Sequence, residues 1–264
     1  MATLAIACCW LPAHPFAALH ALAFIVSNPF SLLALTLAFA LTAWGMRAVT
    51  LSGAFAGLII TGFICLGAGL PAFFAIFTVF ALTFVTTRLG YTRKQQLGAA
   101  EHHEGRRASQ IFANLGAAAM CVAPMLFFPS ARGLLIGMVA ALAEAAADTV
   151  SSELGQAFSN RPLLLTTFEP VAPGTNGAVS FIGSLSGFLA ACIVAGVAVS
   201  AGLMYAHWFW LVVGAATLGM FLDSLLGATI EGPNRLDNDA VNFTSTSFAA
   251  FLVLLTWFIH QVRG

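Results

Sequence analysis

The sequence predicts an all-α membrane protein, a polytopic transmembrane bundle of about seven or eight helices with a polar site at one face. Two observations predict this fold. Hydrophobic residues make up 60% of the 264 positions, whereas Asp, Glu, Lys and Arg together make up only 8%. These few charges gather in short stretches between or beside long apolar runs. Because a charge in hydrocarbon costs several kcal/mol, carboxylates beside spanning helices indicate a functional site.

Apolar runs of nearly membrane-spanning length follow one another along the chain. Eight are suitable as spans, at residues 17–44, 52–70, 71–87, 111–128, 133–147, 178–203, 208–227 and 243–260. Asn28-Pro29 predicts a break in the first run, since proline interrupts a helix, and Gly69-Leu-Pro71 predicts a tight turn. We divide the chain into a variable N-terminal segment with the first span, 1–46, and a transmembrane domain, 47–264.

The basic residues predict the orientation of the bundle. Counting alternately through the eight spans puts eight of the ten Lys and Arg residues on one side, and only Arg132 and Arg263 on the other. The basic residues of the richer side are Arg47, those within 88–107, Arg161 and Arg235. By the positive-inside tendency this side is cytoplasmic. Asp148, the 155–177 loop and Asp223 fall towards the same side, so we expect one site there, facing the cytoplasm.

An acidic stripe is the first candidate site. Glu144, Asp148 and Ser152 repeat every four residues, so on a helix they share one face. Carboxylates this close repel one another unless a cation lies between them. Mg²⁺ usually takes one or two carboxylates with waters and phosphate oxygens, and the stripe suits it. An internal ion pair with Arg106 or Arg107 is the structural alternative.

The segment 173–177, Pro-Gly-Thr-Asn-Gly, is the second candidate. Glycines allow backbone N–H groups to point inwards, and a following helix start favours an anion, so both suit a phosphate. Ordinary turn and cap chemistry is the alternative. Ser180, Gly183 and Gly187 follow within two turns, where small residues predict close helix packing or a close approach of ligand to backbone.

Basic residues form the third candidate. Arg88, Arg93, Lys94, Arg106 and Arg107 are the densest basic segment, and guanidinium groups bind phosphates in a bidentate manner. Topology determination and contact with anionic lipid headgroups are the alternatives.

Two further polar residues, Asn114 and Asp223, lie within apolar runs and need polar or metal partners there. The charge balance is even and no basic run is dense enough for nucleic acid, so we expect none as a partner. A P-loop motif is also absent from the sequence.

These segments, in this order, resemble an integral membrane family that includes plant phytyl-phosphate kinase and was long known as a domain of unknown function. The first matching stretches are Leu51-Ser-Gly-Ala, Thr87-Arg-Leu-Gly-Tyr-Thr-Arg-Lys94 with Gly98, Gly105-Arg-Arg with Asn114, and Ala147-Asp-Thr-Val-Ser-Ser-Glu-Leu-Gly155. The others are Pro173-Gly-Thr-Asn-Gly177 with Ser180 and Gly183, Leu222-Asp-Ser-Leu-Leu-Gly-Ala-Thr229, and Val241-Asn242. Together they extend over about residues 45–245.

The resemblance implies transfer of a phosphoryl group from a nucleotide, CTP by analogy with related polyprenol kinases, to an isoprenoid monophosphate in the bilayer. The implied cofactor is Mg²⁺. We assign metal binding to Asp148, Glu144 and Asp223, and catalytic roles to Asp148, Glu153, Arg88 and Lys94. Substrate and nucleotide phosphates are assigned to Arg93, Arg106, Arg107, Asn114, Ser152, Gly174, Thr175, Asn176, Gly177 and Ser180.

Two alternatives remain open from the sequence. A cytidylyltransferase acting on a phospholipid uses the same donor and metal but releases pyrophosphate. A transporter of a lipid phosphate or an ion would couple titration of its carboxylates to flux.

Overall fold

A computed structural model describes residues 28–98, 105–128, 131–231 and 236–263, and within them the chain is a helical bundle. The helices are α1 (Pro29–Gly45), α2 (Leu51–Ala68), α3 (Leu70–Arg88), α4 (Tyr91–Gln96), α5 (Ala108–Val122), α6 (Leu135–Phe158), α7 (Phe181–Ser200), α8 (Phe209–Thr229) and α9 (Asn238–Arg263). Short 3₁₀ segments cover Ala123–Leu126, Arg132–Leu134 and Ala206–Trp208. Two short strands, β1 (Leu163–Leu164) and β2 (Ala178–Val179), pair antiparallel in the long α6–α7 connection.

The predicted fold class and number of spans are confirmed. Seven helical segments of the described chain are long and apolar enough to cross a membrane, and α1 is a shorter apolar helix of 17 residues. Helix α1 begins at Pro29, where the Asn28 side chain accepts a hydrogen bond from the Phe30 N–H at 2.9 Å. The predicted break is therefore a helix start, and residues 17–27 of the predicted first span lie outside the described residues. Gly69, at φ 77°, makes the predicted turn between α2 and α3.

Helix α6 is the centre of the bundle. It packs against α3, α5, α7, α8 and α9, and 83% of its apolar window is buried, compared with 28–44% in the other six candidate spans. Its first half is rich in alanine and glycine, which let neighbouring helices approach closely. The helix continues to Phe158, well past the predicted span end at residue 147. Asp148 and Glu153 therefore extend from the most buried helix of the protein.

The basic connections meet at one end of the bundle, as their charge asymmetry predicts. Arg88 Nη2 donates to the Met46 carbonyl at 2.9 Å, which ties the end of α3 to the α1–α2 connection. Arg93 Nη2 donates to the Ser159 carbonyl at 2.6 Å, which ties α4 to the end of α6. Arg235, also predicted on this side, lies outside the described residues. This charged end of the bundle carries the candidate site.

Candidate functional site

A polar cavity of about 230 Å³ opens at the charged end, between α5, α6, α8, α9 and the α6–α7 connection. It brings together most of the polar residues predicted from the sequence, although they are distant along the chain. The predicted residues that line it are Arg106, Asn114, Asp148, Ser152, Glu153, Gly174, Thr175, Asn176, Gly177, Ser180 and Asp223. The predicted convergence of separate segments on one cavity is thus observed.

Carboxylates from two helices face this cavity. Asp148 extends from α6 and Asp223 from α8, and the two charges are near enough to interact. Ser245 Oγ donates to Asp223 Oδ2 at 3.2 Å. The amide nitrogen of Asn242, turned to satisfy its hydrogen bonds, lies 3.1 Å from the same oxygen. Helix α9 therefore holds Asp223 in place, while Arg106 is close enough to Asp148 for their charges to attract.

Glu144 lies one turn deeper on α6 and does not line the cavity. Its side chain is 1% exposed, and neither carboxylate oxygen has a hydrogen-bond partner among the described residues. Its charge is nevertheless near enough to interact with Asp148 and Asp223. A buried carboxylate without a partner is costly, so this cluster has room for a proton, a water or a cation.

The donor set fits a divalent ion held partly by substrate. Within the described ranges no three His, Cys, Asp or Glu side chains form a complete metal centre. Mg²⁺ does not need one, since it is usually bound by one or two carboxylates and completes its shell with waters and substrate phosphates. Asp148 and Asp223 offer two such carboxylates in one cavity, and the unpartnered Glu144 behind them adds negative charge. The residues present therefore fit the predicted ion.

The glycine loop forms one wall of the cavity and is fixed to α8. Gly177 has φ 74°, and a Cβ built on it would lie 2.5 Å from Ser224 O and 2.4 Å from Ala228 Cβ. The loop can approach α8 this closely only with glycine at position 177. The strand β2 separates the loop from α7, whose first turn is capped by Ser180 Oγ accepting from the Gly183 N–H at 3.1 Å. The loop and the helix start are therefore neighbouring parts of the wall rather than one motif.

Lys94 and Glu153 form an ion pair beneath the cavity wall. Lys94 is 1% exposed, and its ammonium also donates to the Thr87 carbonyl at 2.7 Å and the Thr86 carbonyl at 3.2 Å. Glu153 Oε1 accepts from Thr87 Oγ1 at 2.9 Å. All three ammonium donors are thus engaged, so this geometry gives Lys94 the role of fixing α3 and α4 to α6.

Three predicted basic residues stand apart from the polar cavity. Arg88 Cζ lies 3.5 Å from the centre of the Phe84 ring and borders a second, apolar cavity. Arg93 donates to Ser159 and to Asn160 Oδ1, the latter at 2.8 Å. Arg107 is exposed at the start of α5, where its N–H donates to Gln110 Oε1 at 2.8 Å. The charged end thus holds more cations than the polar cavity itself.

Four further residues line the cavity that the sequence analysis did not single out, namely Gln110, Gln156, Glu231 and Asn238. A periodicity of four indicates three of them, because Gln110 precedes Asn114, Asn238 precedes Asn242, and Glu231 follows Asp223 by two such steps. Burial raises the pKa of the Glu231 carboxyl above its usual range, and the Asp237 charge raises it further.

The profile of the integral membrane protein family DUF92 matches residues 34–250, which include every helix that lines the cavity. The chain belongs to the DUF92 family. This membership confirms the predicted resemblance and establishes a multi-pass integral membrane protein.

Curated DUF92-related proteins come from bacteria, plants and archaea. An uncharacterised membrane protein of Synechocystis sp. is 30% identical over 190 residues, covering 70% of this chain and 74% of its own length. Protein VTE6, chloroplastic, of Arabidopsis thaliana is 31% identical over 203 residues, covering 73% of this chain and 61% of its own length. An uncharacterised membrane protein of Methanocaldococcus jannaschii is 35% identical over 125 residues, covering 47% of this chain and 51% of its own length. No solved structure matches the chain.

Proposed function

We propose that this protein is a membrane-embedded kinase that transfers the γ-phosphoryl group of a nucleoside triphosphate, CTP in the first instance, to an isoprenoid monophosphate. A phosphate oxygen of the lipid forms a bond to the γ-phosphorus, and the bond from that phosphorus to the β–γ bridging oxygen breaks. The products are an isoprenoid diphosphate and a nucleoside diphosphate. The attacking oxygen is already anionic, so the site needs no strong general base.

One observation carries this proposal. Asp148 and Asp223, from different helices, share a cavity with the glycine loop 173–177 and with Arg106. Carboxylates and phosphate-binding groups in one water-accessible cavity are the parts that phosphoryl transfer uses, since this chemistry depends mainly on positioning and electrostatics. The family resemblance, which implies a kinase of isoprenoid phosphates, supports the same reaction.

Each group has a proposed task. Asp148 and Asp223 hold Mg²⁺, with Glu144 as a supporting charge, and the bound ion would offset negative charge on the donor phosphates. The 174–177 backbone and Ser152 orient the nucleotide phosphates. Arg106 and Asn114, nearest the lipid side of the cavity, orient the acceptor phosphate. The remaining basic residues at this end, including Arg88, attract both anionic substrates to a site that we place at the cytoplasmic face.

The deciding experiment uses purified protein in lipid nanodiscs with Mg²⁺ and a panel of isoprenoid monophosphates. CTP is supplied in two forms, labelled at the γ- or the α-phosphate, with ATP and GTP as alternative donors. We expect γ-label in an isoprenoid diphosphate and α-label only in nucleotide.

The other outcomes would each reject the kinase. Incorporation of α-label into lipid with release of pyrophosphate would identify a cytidylyltransferase. Movement of an isoprenoid phosphate across the membrane of proteoliposomes without nucleotide consumption would identify a transporter.

A further inference from the structure

A second cavity, of about 300 Å³, lies beside the polar one at the charged end of the bundle. It is enclosed by α1, α2, α3 and the first half of α5, and its walls are mainly apolar. Its volume is at the lower end of the ~300–1,000 Å³ range typical of small-molecule pockets. A cavity of this size suits one hydrocarbon chain.

Phenylalanine rings form the apolar wall. Phe39 of α1 reaches across to α3, where its ring centre lies 5.5 Å from that of Phe73 and 4.9 Å from that of Phe80. Phe80 stacks on Phe84 at 5.5 Å, and the Arg88 guanidinium covers Phe84. Along α3 the wall therefore changes from apolar to cationic over its last turns.

The cavity is deep enough for an extended lipid tail. Its lining on α3 runs from Ile76 to Arg88, which corresponds to about 18 Å of helix rise. The hydrocarbon core of a bilayer is ~30 Å thick, so the cavity reaches past its midplane from the charged end. Arg47 lines that end beside Arg88, which places positive charge where the headgroup of an anionic lipid would lie.

The two cavities are continuous in their lining. Arg106 and Asn114 belong to both. The backbone of Arg106 is fixed to the α1–α2 connection, because its N–H donates to Ala48 O at 3.0 Å and its carbonyl accepts from Thr50 N at 3.0 Å. A group held at Arg106 and Asn114 would face the carboxylates on one side and the apolar wall on the other.

We propose that the apolar cavity binds the isoprenoid tail of the lipid substrate, with its monophosphate at Arg106 and Asn114, and that the filled depth of the cavity selects tail length. This inference rests on the proposed kinase function and names the substrate-binding part of the same site. Charge complementarity at the mouth and continuity with the polar cavity argue for the substrate lipid as occupant rather than a bilayer phospholipid.

Gly57 offers a test that does not require removing a contact. It lines the apolar cavity, and a Cβ built on it meets no atom within 4 Å, so a larger side chain there enters open space. Gly57→Leu would shorten the cavity while improving helix propensity. The matched control is Gly214→Leu on α8, an exposed helical glycine that also has no atom within 4 Å of an added Cβ.

The assay measures kcat/KM for monophosphates with one, two, three and four isoprene units. We expect Gly57→Leu to lower kcat/KM for the longest tail about 10-fold or more and to leave the shortest nearly unchanged, since lost apolar contact reduces transition-state binding in proportion. The KM for the nucleotide and every value for Gly214→Leu should match the wild type. An equal loss at all lengths would overturn the tail site while leaving the kinase intact.

A photoactivatable isoprenoid monophosphate, with its reactive group at the tail end, provides a readout that needs no turnover. We expect it to label Phe39 or Ile76, and unlabelled isoprenoid monophosphate to compete. Labelling of these residues by a protein that phosphorylates no isoprenoid would reject the kinase and retain the tail site. Labelling confined to lipid-facing surfaces, or displaced equally well by phosphatidic acid, would overturn the tail site.

Discussion

The polar and apolar cavities lie side by side at the same end of the bundle and differ in what encloses them. The polar cavity is built on α6, the most buried helix, with Asp148 and Asp223 on neighbouring helices. The apolar cavity is built on α1, α2 and α3, whose outer faces are exposed to lipid. Charged groups are thus supported by the tightly packed core, and the hydrocarbon site is placed near the bilayer that supplies its ligand.

The partition between the cavities is itself polar. Thr87 lines the apolar cavity and donates to Glu153, which lines the polar cavity and is paired with Lys94. Only Arg106 and Asn114 line both cavities. A lipid phosphate and its tail can therefore be bound by different chemistries across one short boundary, and variants should affect them separately.

The largest effect is expected in the polar cavity. Asp148→Asn should lower turnover by about 10³-fold, because a preorganised charge at the transferring phosphoryl group is lost. The loss should be the same for every tail length, and photolabelling of the apolar cavity should persist. Turnover assays and a thermal unfolding scan check this, with exposed Glu169→Gln as the control. Wild-type rates for Asp148→Asn would reject its metal role.

The partition is the next test. Lys94→Met should destabilise the protein by about 3 kcal/mol, because it leaves the buried Glu153 charge without a partner. Unfolding in a fixed detergent measures this loss. Lys94→Met combined with Glu153→Gln removes both charges and should recover much of it, as a double-mutant cycle would show. Equal, additive losses would mean that the pair does not couple α3 to α6.

A smaller effect is expected at the glycine loop. Gly177→Ala should raise the nucleotide KM about 10-fold without changing tail-length preference, because an added methyl group displaces the loop from α8. Gly202→Ala is the matched control, since Gly202 has a similar φ of 76° but no atom within 4 Å of an added Cβ. Both variants carry the backbone strain, and a KM increase in both would assign the effect to strain alone.

The smallest effect concerns Glu231 in protein freed of divalent ions. Its pKa is raised in the folded state, so above its ordinary value of about 4.3 the unfolded chain ionises first and the folded state loses stability as pH rises. Glu231→Gln should therefore unfold at a slightly higher temperature than wild type near neutral pH and at the same temperature in acid. Asp237→Asn should narrow the difference, because the Asp237 charge contributes to the shift. A difference that persists in acid would exclude the linkage.

Much of the polar cavity follows from local sequence. The spacing of Asp148 and Ser152 places them on one helical face in any helix, and the apolar runs that flank them set the spans. Glu231 and Gln110 follow the same periodicity of four and were accessible to that reasoning. Lys94 was not, because its burial depends on α4 folding back onto α6 over a distance of 59 residues in the chain.

The apolar cavity was beyond sequence reasoning for a related reason. Phe39, Phe80 and Gly57 are typical of any membrane helix, and nothing in their order shows that they surround a space. Their arrangement depends on how far apart the α1 and α3 backbones settle, which side-chain packing across helices determines.

The sequence by itself determined the membrane bundle, its seven long apolar helices, the charged end and the family, because span length and helical periodicity are local properties of the chain. The tertiary structure alone decided that Lys94 pairs with Glu153 and that Arg106 and Asn114 join a polar to an apolar cavity. Those outcomes depend on which helix faces meet, and the energies that choose among such packings act between residues far apart in sequence.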